Sequence, residues 1–260
     1  MVIIKTKKEI EILREGGKRL AIVLHKVKDK IKPGISTKEL DDYAFQLIKN
    51  MGDIPAFLNY RPEGADAPFP ASLCVSVNDE VVHGIPKKDK ILKEGDIVCI
   101  DLGLKHNGLF TDMALTAPVG KISPASLKLI EVTKKALQIG IDAACAGNTV
   151  GDIGYAIENF IHSQKGGQQY GIVEVLSGHG VGRKIHEDPY VPNFGKKGTG
   201  VKLVPGMVIA LEPMLNNGTK HVTLDADGYT VRTADGKKSA HFEHTILITK
   251  SEPEILTKTF

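Results

Sequence analysis

The sequence predicts an α+β fold in which two pseudo-symmetric halves, approximately residues 1–120 and 121–260, share a central antiparallel sheet with helices covering one face. Three observations point there. Two helix pairs open on matching caps, two apolar strands each run into a carboxylate, and both halves carry their polar residues in the same order.

The helices come first. Ile10, Leu13, Leu20, Leu24, Val27 and Ile31 fall at helical spacing across about residues 7–31, and Pro33-Gly34 breaks the run. Ser36 with Glu39 three positions on is a capping-box pattern, and it opens a second helix striped by Leu40, Tyr43, Ala44, Leu47 and Ile48. Moving 113 residues along brings the cap back as Thr149 with Asp152, followed by Ile153, Ala156, Ile157, Phe160 and Ile161. A long helical stretch over about 124–144 precedes it.

The strands repeat more closely. Residues 94–101 align on 205–212 without a gap: a glycine, a β-type apolar run, then Asp101 or Glu212. Upstream, His83-Gly84-Ile85 matches His179-Gly180-Val181. Downstream, Asp112 within 109–115 matches Glu243 within 242–247. A pseudo-twofold relation between the halves would bring these polar residues together.

Composition narrows the function classes. With 260 residues, 42% apolar and 25% charged, the chain is able to bury a sizeable core and is neither disordered nor fibrous. A net charge of +3 without a basic block gives no reason to expect nucleic-acid or membrane binding. Cys74, Cys99 and Cys145 stand singly, which argues against a disulfide scaffold and against a thiolate zinc cluster. The start, MVIIKTKKEIEIL, is too charged for a secretory leader, and no stretch has the apolar length of a membrane span. A cytoplasmic location is expected.

Asp101 follows Ile97-Val98-Cys99-Ile100, and Glu212 follows Val208-Ile209-Ala210-Leu211. Such runs read as strands buried on both faces, where an unpaired carboxylate costs several kcal/mol. Arginines are few and none belongs to the repeated pattern. Four carboxylates (Asp101, Asp112, Glu212, Glu243) with one or two histidines point instead to a dinuclear divalent-metal site, and oxygen-rich sites of this kind suit Mn, Fe, Co or Zn alike. Taken singly, each is more often a turn or cap residue, and it is the matched positions that favour metal. Residues 178–182 lack the G-x-G-x-x-G spacing of a nucleotide loop. His186-Glu187 is not H-E-x-x-H, because Tyr190 occupies the second ligand position.

Five segments then make a resemblance specific: Val77-Asn78-Asp79-Glu80-Val81-Val82-His83-Gly84-Ile85-Pro86, Asp96 to Gly103, Ser177-Gly178-His179-Gly180-Val181-Gly182-Arg183, Leu211-Glu212-Pro213-Met214 and Phe242-Glu243-His244-Thr245. In this order, over nearly the whole chain, the sequence resembles the bacterial-type (type I) methionine aminopeptidases. The resemblance implies the pita-bread fold, a single catalytic domain over 1–260, and a hydrolase that removes the initiator methionine from nascent polypeptides with a small second residue.

The same resemblance implies two divalent ions held by Asp101, Asp112, His179, Glu212 and Glu243. Asp112 and Glu243 would bridge them, His179 and Glu212 would complete one, and Asp101 would chelate the other. It places His83 beside the substrate amine and His186 near the scissile carbonyl, with Glu212 as a proton carrier. The methionine pocket would be lined by Tyr60, Phe69, Cys74 and Tyr229, flanked by Phe57 and Ile185. Three features depart from the family pattern: an extra stretch at 61–68, Tyr229 where many members have tryptophan, and Ile185 in place of a common aromatic. His241 shares a strand face with Glu243 and is expected near the site without ligating.

The chain is expected to start directly at the catalytic domain, without a zinc-finger extension or the helical insertion of type II enzymes. A monomer working on nascent N-termini, with the ribosome as its place of work, is the corresponding expectation for partners. Two rivals are a proline-specific aminopeptidase of the same fold and a non-catalytic binding module. The second class loses ligands, and this chain keeps all five.

Overall fold

The computed structural model describes residues 2–62, 64–164 and 170–259; Glu63, within the extra stretch at 61–68, lies outside them. Four helices form, two of them on the caps read from the sequence. Helix α1 (Lys7–Lys28) starts on a Thr6–Glu9 capping box and ends three residues before Ile31, which still packs against the core. Helix α2 (Thr37–Asn50) uses Ser36 with Glu39, and α4 (Val150–His162) uses Thr149 with Asp152, with both halves of each box made. Helix α3 (Pro124–Ala143) starts on Ser123 with proline in its first turn, where the missing N–H costs nothing.

All strand pairings are antiparallel. In the first half, Ile97–His106 and Leu109–Pro118 form a ten-residue hairpin, and Cys74–Val77 pairs with the other edge of Ile97–His106. In the second half, Val208–Leu211 lies between His244–Leu247 and Gly178–Gly180, and Glu187–Val191 forms the outer edge. Helices α1 and α2 pack on the first hairpin and its neighbours, and α3 and α4 on the second set. One apolar core runs through both halves, joining Leu20, Leu40 and Ile100 to Leu129, Ile153 and Ile209.

The halves meet strand against strand. Asp112 donates its N–H to the Thr245 hydroxyl, which donates back to the Asp112 carbonyl. Glu243 N–H donates to Ala114 O, and Thr116 and His241 exchange a similar pair. Two antiparallel neighbours with this register are related by a dyad near residues 113 and 244, which exchanges position 112 with 243. The carboxylates matched in the sequence are therefore partners about that axis.

Two details differ from the sequence reading. Asp101 lies in the middle of Ile97–His106, not at its end, because the hairpin with Leu109–Pro118 carries the strand five residues further. His179 pairs with Ala210, and the equivalent place against Cys99 is taken by Ser76, not His83. His83 comes later, after Glu80–Val82, with a left-handed φ of 58°.

Candidate metal centre and active site

Each carboxylate is fixed by backbone and not by a cation. Asp101 pairs across its two neighbours with Cys74 and Ala114, and Asp112 pairs with Gly103. A side chain at Gly103 would meet Phe57 and Ile185 within about 3 Å, so glycine is needed for these two to close under the site. Glu243 is anchored by its N–H on Ala114, and Glu212 follows directly on Val208–Leu211.

The side chains converge. Ligand atoms of Asp101, Asp112 and Glu243 lie within 4.8 Å of one another, as do those of His179, Glu212 and Glu243, so Glu243 joins two adjoining clusters. Burial raises the pKa of Asp112, Glu212 and Glu243 well above the carboxylate range, and of Asp101 to about 7. Among the described residues no lysine or arginine pairs with any of the four. Instead, one oxygen each of Asp101 and Glu243 is buried without a hydrogen-bond partner.

His179 completes the pattern. Its Nδ1 lies 2.9 Å from the Gly180 carbonyl, which only accepts, so Nδ1 carries the proton. Burial lowers its pKa to about 3, which leaves a neutral ring with an Nε2 lone pair 3.5 Å from Glu212 Oε1. A lone pair facing a carboxylate, beside orphaned carboxylate oxygens, is the donor set a divalent cation requires. The residues present fit the metal.

A pocket of about 870 Å³ opens over this cluster. Phe57, Phe69 and Cys74 are buried in its apolar wall, with Tyr60 and Tyr229 half-buried beside them, and Ile185 packs in the same cluster without lining the pocket. Phe69 and Tyr229 meet edge to face at 5.2 Å. The Tyr229 hydroxyl donates to the Ala67 carbonyl, so two of the departures, the tyrosine and the extra stretch, are joined to each other. His186 stands at the mouth with its Nδ1 2.9 Å from the Tyr60 hydroxyl and its ring edge to face with His179 at 4.5 Å. It also falls within metal-ligand range of Asp112 and His179, although it is exposed where they are buried.

The family model for metallopeptidase family M24 matches residues 11–250. The chain belongs to this family. It is 47% identical over 258 residues to methionine aminopeptidase 1 of Bacillus subtilis, covering 99% of this chain and all of the relative, and 48% identical to the methionine aminopeptidase of Aquifex aeolicus, covering 97% of each. The crystal structure of methionine aminopeptidase from Thermotoga maritima superposes with a TM-score of 0.93 at 41% identity, covering 99% of this chain and 100% of that one. Prolidase from Pyrococcus furiosus, at 25% identity and a TM-score of 0.75, shares the fold over 99% of this chain and 66% of its own. The pita-bread architecture is therefore that of the chain, and metallopeptidases of family M24 use divalent metal.

Sequence reasoning missed one contact beside this candidate site. Lys5, only 4% exposed, reaches Glu187 at 2.5 Å, and Glu187 also accepts from the N–H groups of Arg183 and Lys184. The N-terminal arm thereby braces the loop that carries His186. The signal was a lysine ahead of the first helix cap, which reads as solvent-facing. His241 is buried, with Nδ1 3.7 Å from Cys99 Sγ and an unpartnered Nε2 3.6 Å from Glu212 Oε2. It thus sits behind Glu212, as its strand face suggested.

Across the described residues no helix is long and apolar enough to cross a membrane.

Proposed function

We propose that this chain is a two-metal aminopeptidase that hydrolyses the bond after an N-terminal methionine, acting in the cytoplasm as a monomer on nascent polypeptides, including those leaving the ribosome. One observation carries the reading: the His179 Nε2 lone pair and the orphaned oxygens of Asp101 and Glu243 converge beside an apolar pocket. Residues 1–260 act as one catalytic domain whose halves each supply ligands.

Asp101, Asp112, His179, Glu212 and Glu243 would hold two divalent ions, whether Co, Mn, Fe or Zn. When bound, such a pair supplies Lewis-acid polarisation and lowers the pKa of water. The wall formed by Tyr60, Phe69, Cys74 and Tyr229 holds the methionine side chain. With the Tyr60 hydroxyl, 2.9 Å away, donating to Nδ1 of His186, the Nε2–H would be free to donate to the oxyanion that develops on the scissile carbonyl. His83 is kept neutral by burial, with a pKa lowered to about 4, and acts as a hydrogen-bonding partner near the substrate amine. Glu212 carries the proton from the attacking water to the departing amine.

The decisive experiment combines metal content with cleavage of Met-Gly-Met, Met-Lys and Xaa-Pro peptides. Hydrolysis of Met-Gly-Met that depends on a divalent ion is expected, with Met-Lys poor and Xaa-Pro uncut. Leucine in first position should cost about 1–3 kcal/mol in transition-state binding. Full activity in a metal-free sample, equal rates on Met-Gly and Met-Lys, or faster cleavage of Xaa-Pro rejects the reading. The prolidase likeness makes the last outcome the one to test first.

A further inference from the structure

Among the described residues, the three most exposed large apolar side chains are Tyr190, Val175 and Leu224, at 77, 75 and 64% exposure. Single exposed apolar residues are ordinary on any surface. These three are not scattered: all of them line the pocket that contains the carboxylate cluster. None belongs to the methionine wall or to the metal cluster.

Their placement follows from strand register. Tyr190 pairs directly with His179, so the two side chains leave the same face of the sheet. Leu224 pairs with Val231, which pairs with Val82, and this gives an apolar stripe across three strands. The stripe runs from buried Val82 through half-buried Val231 to the open Leu224. Val175 adjoins Leu176, which packs on the same small apolar cluster as Val82 and Met214. An apolar shelf thus begins inside the pocket and climbs to its rim.

We infer that this shelf binds the third and following residues of the substrate polypeptide, and that the enzyme favours apolar side chains there. The inference rests on the aminopeptidase reading. A chain whose first residue is held at the carboxylate cluster must leave the pocket over its rim, at about 3.3 Å per extended residue. A hexapeptide therefore reaches further towards the rim than a dipeptide. Continuity with the site selects the substrate as occupant over a second copy of the chain.

The experiment compares Met-Ala amide with two hexapeptides, Met-Ala-Leu-Leu-Ser-Lys and Met-Ala-Ser-Ser-Ser-Lys. The leucine hexapeptide should have a KM about tenfold below the serine one, as expected for partial burial of two apolar side chains. The double variant Val175→Ser/Leu224→Ser should erase that preference and leave kcat and KM for Met-Ala amide unchanged. Equal KM values for the two hexapeptides on the unaltered protein, or a preference that survives the double variant, overturn the shelf while the aminopeptidase reading stands. Failure to cleave Met-Ala amide overturns both. A concentration-dependent dimer that the double variant dissolves assigns the shelf to a second copy, and overturns the proposal as well.

Discussion

The two halves of the molecule supply the same acids and different bases. Asp112 and Glu243 exchange about the axis between the central strands, and Asp101 and Glu212 each follow an apolar run of the same length. Where the second half sets His179 against Ala210, however, the first sets Ser76 against Cys99, and the Ser76 hydroxyl accepts from Gly84 N–H. Two ions bound between the halves would therefore have unequal surroundings, one with an imidazole ligand and one without. Symmetry built the container, and its breaking at one strand position differentiates the contents.

Replacing the shared acids should break this comparison most severely. Asp112→Ala or Glu243→Ala should strip both metals and lower turnover by about 10³-fold or more, since several kcal/mol of Lewis-acid stabilisation is lost. His179→Ala should lose metal too, whereas Ser76→Ala should retain its full complement. Metal stoichiometry measured on all four proteins checks the asymmetry, and equal metal loss in His179→Ala and Ser76→Ala would sink it.

The next largest effect should come from the brace that ties the N-terminal arm of the first half to the His186 loop of the second. Lys5→Met removes one partner of a buried ion pair, at a cost of about 3–5 kcal/mol in unfolding free energy. The double variant Lys5→Met/Glu187→Met should recover most of that loss in urea titrations. A single variant as stable as the parent would show that the pair is not needed.

His186 has no counterpart in the first half. His186→Ala should keep its metal and its stability while turnover falls on the order of 10²-fold. Loss of metal, or turnover equal to that of the unaltered protein, would remove it from the role given above.

The smallest effects should be the most symmetrical. Ser36→Ala and Thr149→Ala each remove one capping hydroxyl and should each cost about 1 kcal/mol. Hydrogen bonds from Thr149, first from its backbone N–H, hold the Asp152 carboxyl below its usual range. Its contribution is therefore complete above the ordinary carboxylate pKa and fades as pH falls through the lowered value. The stability gap between the parent and Asp152→Asn should accordingly narrow on acidification, and a gap that widens would contradict the cap.

Helix starts were legible because a cap is a local contract between residues three apart, as Ser36 with Glu39 and Thr149 with Asp152 show. The carboxylates were legible because burying a charge leaves few chemical choices. The end of Ile97–His106 was not, since the partner strand extends it past Asp101. Neither was the true counterpart of His179, because sequence offset alone does not reveal pairing register. The bond between Tyr60 and His186 spans 126 residues, and the Lys5–Glu187 pair spans 182, so nothing local announces either.

The central strand contact has a consequence for the chain as a whole. Asp101 and Asp112 precede residue 120, and His179, Glu212 and Glu243 follow it, so the second half holds one cluster by itself but the full set of five needs both halves. Geometrically the active centre is a subunit interface whose two subunits share one polypeptide. Cut in the connection between Leu109–Pro118 and α3, the molecule would become a heterodimer, and metal would be the ligand that reports its assembly.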